Sequence, residues 1–275
     1  MDELYVLARR VLLDALEALG EHRDAIVLVG AQAVYLHVGD AGLAVAPFTS
    51  DGDLVLNPAT LAEIPPVETA LRDAGFLPKK SDSVGVWVTH HPSGQAERTE
   101  VCIDLLVPAN ASPGKGRRAA RLTGHDARAA RKVIGLEGAL VDLDRMQLGS
   151  LADDDPRKLE VQVAGPAALL VAKLIKINDR SGTDRHSDKD ALDIARLLRG
   201  VETDDLSERM KKVHRDPRSA DVAGQAIDLL RTTFGHRAGT GIVMATRAAG
   251  GLVDPDELAV SCSFLVGDLL HALKR

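Results

Sequence analysis

Aromatic residues are scarce: one Trp, two Tyr and four Phe make up 3% of the 275 positions. The core therefore has to be aliphatic, and there is little material for the stacking platforms that OB and RRM modules lay under single-stranded bases. Cysteine is nearly absent too. Cys102 and Cys262 lie far apart and outside any C-x-x-C spacing, which argues against a disulfide framework and fits a reducing cytoplasm. No apolar run approaches the roughly 18–20 residues that a membrane span needs. The stretch MDELYVLARRVLLDALEAL carries a charge every few positions and reads as an amphipathic helix, not a signal peptide. Positive charge is not in excess either. With 34 Lys and Arg against 40 Asp and Glu, the formal net charge is -6, so the chain as a whole is no basic coat for nucleic acid.

What is present is ordinary globular material, 45% hydrophobic and 27% charged, in a chain long enough for one large domain or two modest ones. Apolar residues recur at helical spacing over 2–19. DAIVLVG (24–30) reads as a buried strand, AQAVYLHVG as a helix closed by Gly39, and 40–50 as a loop. DLVLN (53–57) is a second strand and 66–74 a helix with proline at its start. VGVWVTHH (84–91) and RTEVCIDLLVP (98–108) are further strands joined by a turn at HPSGQ. Residues 110–135 form a Gly-, Ala- and Arg-rich loop, with short strands expected at 136–149 and 158–163. After Gly165-Pro166 the pattern is helical, in PAALLVAKLIKIND, SDKDALDIARLLRG, LSERMKKVHRD, SADVAGQAIDLLRTTFG and DPDELAVSCSFLVGDLLHALKR. The expected fold is α+β, a mixed sheet with flanking helices over 1–162 followed by a mostly helical domain over 163–275.

Chemistry concentrates on three carboxylates. Asp51 and Asp53 are two apart, so on a strand they share one face. In EVCIDLLVP, Val101, Ile103, Leu105 and Val107 take one face and leave Asp104 on the other. Neighbouring carboxylates repel unless a cation sits between them, and magnesium prefers such hard oxygen donors. If the two strands are neighbours, three carboxylates have room for two Mg2+ ions roughly 3.5–4 Å apart, the arrangement that serves in-line displacement at phosphorus. The other reading of Asp51-Gly52-Asp53 is a solvated turn, since Asp-Gly is a common turn dipeptide.

Strand, glycine turn at Gly30-Ala31, helix, Asp51-x-Asp53 and a later Asp104 together resemble the nucleotidyltransferase superfamily of the polymerase-beta type. The resemblance implies a nucleotidyltransferase-type fold, with Asp51, Asp53 and Asp104 as catalytic metal ligands. It also implies that Gly30 and Ala31, with Gln32 and Ser50, contact the NTP. A narrower segment, LLVAKLIKINDRSGTDRHSDKDALDIARLL, resembles the helical signature of AbiEii-type and related MenT toxins through Lys173, Arg180, Asp190 and Asp193. This resemblance implies a toxin of a toxin–antitoxin system that transfers a nucleotide from NTP to RNA, the tRNA 3' end in some members, and that a cognate antitoxin neutralises. Lys173 and Asp190 then join the catalytic set, and Lys176 and Arg180 the nucleotide-binding set. The chain departs from the pattern in having Gly-Ala for Gly-Gly or Gly-Ser at the turn, Gly52 inside the aspartate pair, and a long gap between Gly30 and Asp51.

Each of these positions has a plainer reading. Lys173 sits in an apolar helical run and most helical lysines face solvent. Lys176 and Arg180 form a like-charged i, i+4 pair that an anion would relieve, as would salt bridges to Asp179 or Asp184. The plainer reading of Asp190 is a first-turn acid favoured by the helix dipole; of the two acids, Asp190 is the functional candidate and Asp193 the structural one. GKGRRAAR (114–121), with Arg128, Arg131 and Lys132, is a basic loop that could grip RNA phosphates or simply be solvated. His90, His91, His125 and His186 show no zinc-ligand spacing, and no Walker A, GxSxG or Cys/His nucleophile pattern is present. An aminoglycoside-type small-molecule nucleotidyltransferase and a catalytically inactive nucleotidyltransferase fold that only binds a partner or nucleotide are the competing readings.

Overall fold

The computed structural model describes residues 2–43, 45, 46, 48–92, 98–112, 118–181 and 187–275. The expected turn at 91–95, most of the basic stretch at 114–117, Asp184 and His186 lie wholly or partly outside these residues. The architecture is mixed α/β, with a mixed sheet, flanking helices and a helical C-terminal region. The chain divides into two compact units. The first comprises Met1–Gln32, Phe48–Val133 and Asp144–Val163; the second comprises Ala33–Pro47, Ile134–Leu143 and Ala164–Arg275.

The first unit is built on an eight-stranded sheet. Its strands are β1 (Ile26–Val29), β2 (Asp51–Leu56), β3 (Leu77–Pro78), β4 (Val86–Pro92), β5 (Arg98–Pro108), β6 (Arg131–Val133), β7 (Leu143–Gly149) and β8 (Lys158–Ala164). The order is β3-β4-β5-β2-β1-β8-β7, with β6 added to β5. β2 runs antiparallel to β1 and parallel to β5, while β1 runs parallel to β8. Helix α1 (Glu3–Ala18) starts where the Asp2 carboxylate accepts from the N–H groups of Leu4 and Tyr5. It packs on β2 and β5 and on α3 (Val67–Asp73), burying Ala8, Val11, Leu12 and Leu16. Leu12 approaches Gly52 and Ile103, so α1 covers the sheet face opposite Asp51, Asp53 and Asp104.

The second unit holds most of α2 (Gly30–Val38), then α4 (Pro166–Arg180), α5 (Asp188–Gly200), α6 (Thr203–Arg215), α7 (Ala220–Phe234), α8 (Thr240–Ala249) and α9 (Pro255–Ala272). Helix α4 starts on Gly165, which has no side chain to cap it. The buried Asp142 carboxylate accepts instead from the N–H groups of Ala167 and Ala168, at 3.1 and 3.2 Å, and is paired on its other oxygen with Arg209.

The structure corrects three expectations. Residues 137–140 form a 3-10 turn, and the strand expected over 136–149 begins only at Leu143. Arg131 and Lys132 belong to a strand paired with β5, not to a loop. Helix α8, between two glycine-bearing turns, was not expected.

Candidate active site

Parallel pairing of β2 with β5 sets Asp51 opposite Cys102 and Asp53 opposite Asp104. Strand alternation then places Asp51, Asp53 and Asp104 on one sheet face, all partly exposed, while Gly52 and Leu54 turn inward. The sequence-based idea that Asp104 stands on a strand beside the Asp51–Asp53 pair thus holds at the level of register. Beside this face lies the turn from β1 into α2. Gly30 has φ +74°, and a Cβ built on it would fall 2.1 Å from the Asp53 Oδ2 atom. Only glycine gives that backbone conformation cheaply and leaves the space for the carboxylate. Ala31 follows in the first turn of α2, where helix N–H groups lack intrahelical partners.

Gln32, one residue further, is 1% exposed. Its amide Nε2 donates to the Asp51 carbonyl at 3.0 Å, and its Oε1 accepts from Arg9 Nε at 2.6 Å. Arg9 is itself buried and also donates to the Gly149 carbonyl at 2.9 Å and to the Tyr5 hydroxyl at 3.3 Å. Burial pulls the Arg9 guanidinium below its usual range, with Tyr5 pulling the other way. Ser50 is exposed, whereas Thr49 is buried and its hydroxyl donates to the Asp51 carboxylate.

Arg131, expected from the sequence only as part of a basic loop, has a different place. It reaches from β6 to form an ion pair with Asp104. No local pattern marks it, since a three-residue strand has too few positions to show a period. Cys102, on the carboxylate face, has its thiol pushed up by burial, partly offset by Lys79, whose amine lies 3.5 Å from the sulfur.

Hard carboxylate oxygens on one face, with space made for Asp53 by a missing Cβ, match the donor set of a divalent ion such as Mg2+. Among the described residues no three His, Cys, Asp or Glu side chains converge as a closed ligand set. Asp51 is turned to Thr49 and Asp104 to Arg131.

The helical candidates form a separate cluster in the second unit. Lys173 is buried on α4 and its amine donates to Asp190 at 2.8 Å and to Asp193 at 2.7 Å, both on α5. Burial alone would lower the amine, but the two carboxylates outweigh it and hold it well above its usual range. The Asp190 carboxyl, which burial would raise, is brought down to about 2 by Lys173 and Lys176. Lys176 and Arg180 also reach Asp190, at 3.0 and 3.5 Å. Asp193 is shared with Arg196 at 2.9 Å, and Arg196 lies over the Tyr35 ring and donates to the Val45 carbonyl. Among the described contacts two carboxylates thus face four cations, of which Lys176 is the most exposed.

Of the histidines, His125 has a packing role. His125 lies in a buried setting, with Nδ1 accepting from the Val67 N–H at 3.1 Å and Nε2 on the Ala62 carbonyl side at 3.0 Å. Burial pushes its ring below the usual histidine range. No helix among the described residues is long and apolar enough to cross a membrane.

Comparison with curated proteins returns no match. Among solved structures, the chain is similar to an antigenic nucleotidyltransferase-like protein from Paracoccidioides brasiliensis, at 14% identity and a TM-score of 0.42, over 82% of this chain and 93% of that one. A family model described as Nucleotidyltransferase matches residues 9–219, a span that includes both the carboxylate face and the Lys173 cluster. With most of its length matched in this way, the chain belongs to the nucleotidyltransferase family.

Proposed function

We propose that the protein is a Mg2+-dependent enzyme that transfers a nucleotide from NTP to an RNA acceptor, the tRNA 3' end being the favoured class, and acts as a toxin restrained by a cognate antitoxin. The observation that carries the transfer chemistry is the in-register placement of Asp53 and Asp104 on neighbouring strands, with Asp51 on the same face and the Gly30 turn against Asp53. Residues 1–162 are assigned the chemistry and 163–275 the helical domain. The RNA and toxin parts rest on the resemblance of the Lys173–Asp193 segment to AbiEii-type and MenT toxins.

Asp51, Asp53 and Asp104 would hold the Mg2+, which when bound withdraws charge from the phosphates and lowers the cost of ionising the acceptor hydroxyl. The chain's own groups do the rest. Backbone N–H groups of Gly30 and Ala31 at the start of α2 offer donors to an anion. Asp104 accepts the acceptor hydroxyl proton. The hydroxyl oxygen bonds to the α-phosphorus, the bridging α–β P–O bond breaks, and pyrophosphate leaves with that electron pair. Gln32 and Arg9 hold the Gly30 turn and the start of β2 at a fixed separation. Lys176 and Arg180 supply positive charge for phosphate, with Lys173 and Asp190 fixing their helices together.

The test is incubation with each labelled NTP, Mg2+ and total tRNA, for the natural chain and Asp53→Asn. Label on tRNA with the natural chain alone supports the reading. Label on an added aminoglycoside but not on RNA replaces the acceptor, and transfer retained by Asp53→Asn removes the carboxylate site.

A further inference from the structure

A pocket of about 200 Å³ opens in the first unit beside β4 and α3. Trp87 on β4 is the register partner of Ile103, whose side chain lies with Leu12 on the sheet face away from Asp104. The Trp87 indole therefore turns away from the three carboxylates. It is buried, and its Nε1 donates to the Ala129 carbonyl at 3.0 Å, which fixes it as an apolar surface of the pocket beside Pro78. Glu68 and Arg72 of α3 line the same space, as do Ser83 and Arg128. The volume falls short of the roughly 300–1,000 Å³ of sites for drug-sized molecules. It is too small for a nucleotide and large enough for a molecule of a few non-hydrogen atoms.

Two charges of this pocket have no partner of opposite sign. Glu68 and Arg72 are spaced i, i+4, where a carboxylate and a guanidinium of one helix commonly pair, yet here they do not. The buried Oε2 of Glu68 has no hydrogen-bond partner among the described residues. The His125 Nδ1 lies 4.0 Å from it, but that nitrogen accepts from the Val67 N–H and has no proton to give. Arg72 is exposed and forms no ion pair among the described residues. Arg128, by contrast, donates to the Ser81 carbonyl at 2.6 Å and lies 3.9 Å from Asp126. A carboxylate with a buried, unpaired oxygen is costly and draws a donor. A simple anion would meet repulsion from Glu68, and a simple cation repulsion from Arg72 and Arg128. A zwitterion satisfies both, and the roughly 5–6 Å between the Cβ atoms of an i, i+4 pair suits two charges carried on one carbon. We infer that this pocket is a second ligand site, which takes a free α-amino acid with a short aliphatic side chain. Its ammonium meets Glu68, its carboxylate meets Arg72, and its side chain lies on Trp87 and Pro78. Occupancy of the pocket depends neither on the carboxylate face nor on nucleotide transfer.

Trp87 is the sole tryptophan of the chain, so its emission reports on the pocket directly. The experiment titrates the full chain, without nucleotide or metal, with L-leucine and L-valine, and with isovalerate and isoamylamine, which lack the ammonium and the carboxylate respectively. Calorimetry of the same solutions covers a ligand that leaves the emission unchanged. Saturable binding of L-leucine or L-valine is expected, half-maximal below about 1 mM. Isovalerate and isoamylamine on the natural chain, and the amino acid on Glu68→Gln or Arg72→Gln, are expected to bind at least about tenfold more weakly, since each lacks one charged partner. Circular dichroism melts verify that the variants are folded, and Arg72, being exposed, keeps the test decisive should Glu68→Gln unfold. Absence of saturable binding by both amino acids overturns the site. Isovalerate or isoamylamine binding as tightly as the amino acid, or undiminished amino-acid binding by a folded Glu68→Gln or Arg72→Gln, overturns the zwitterion assignment.

Discussion

At the scale of single residues, the site depends on an absent atom. Gly30 combines a positive φ with a carboxylate where its Cβ would be. Gly30→Ala imposes about 1–2 kcal/mol of backbone strain and displaces Asp53 as well. The expected result is a modest fall in melting temperature with a loss of transfer of at least about tenfold, since small misplacements of reacting groups are costly. A variant that melts lower but transfers at the natural rate would show that Asp53 placement is immaterial. In the second unit, the buried Asp190 makes a pH prediction. Its carboxyl lies at about 2 instead of the ordinary 3.8, because Lys173 and Lys176 outweigh the effect of burial. A folded-state value below the unfolded one means stability that is complete above pH 3.8 and is lost as pH falls through about 2. That difference is worth about 2 kcal/mol. Denaturant melts of the natural chain should therefore weaken between about pH 4 and pH 2, and Asp190→Asn, less stable at neutral pH, should change less across the interval. Equal slopes would dismiss the pairing as a source of acid sensitivity. Breaking the same cluster from the other side, Lys173→Ala leaves two buried carboxylates short of a partner and is expected to cost about 3–5 kcal/mol.

Between elements, Gln32 is the joint to test. It ties α1, through Arg9, to the first turn of α2 and to the start of β2. Gln32→Leu keeps the volume but strips one partner from the Arg9 guanidinium and one from the Asp51 carbonyl, at about 1–3 kcal/mol. A positioning role predicts a fall in kcat with KM for NTP nearly unchanged, whereas a direct nucleotide contact predicts a rise in KM. The same joint shows what could be read from the chain. The alternation of Val101, Ile103, Leu105 and Val107 in 98–108 gave β5 its limits and left Asp104 on the opposite face, and the aspartate spacing gave Asp51 and Asp53 one face. These are local periodicities, and local periodicity survives folding. The Arg9–Gln32–Asp51 chain and the Arg131–Asp104 pair span 23, 19 and 27 positions. No spacing rule reaches across such gaps, because the partners are set by sheet order and not by the pitch of one element. The same holds for Lys173, whose apolar neighbours place it on a packed helix but whose two acids come from another helix. Residues 240–249 escaped notice because a ten-residue helix between Gly239 and Gly250 reads as a turn-rich stretch.

For the molecule as a whole, the family match ends at residue 219 while the helical unit continues through α7, α8 and α9. These three helices are not an appendage. Helix α7 packs on α4, α8 on α5, and α9 on α5, α6 and α7. Leu230, Phe234, Ile242, Leu258, Val266 and Leu269 are each at most 2% exposed. Full burial of a large apolar side chain is worth about 1.5–3 kcal/mol, so six of them together are comparable with the whole net stability of a typical domain, about 5–15 kcal/mol. The helices they pack on include α4 and α5, which carry Lys173, Asp190 and Asp193. A chain cut after Arg218 or Ser219 would therefore expose the back of the helices that carry the cationic cluster. The expected result is a protein that lacks a cooperative melt for the second unit, binds a hydrophobic dye and aggregates, although every residue of the matched span is present. If the shortened chain instead melts cooperatively and keeps the Lys173 amine protected from acylating reagents, then α4 and α5 hold together without the last three helices, and the burial seen along α7–α9 contributes little to the unit that presents the cluster.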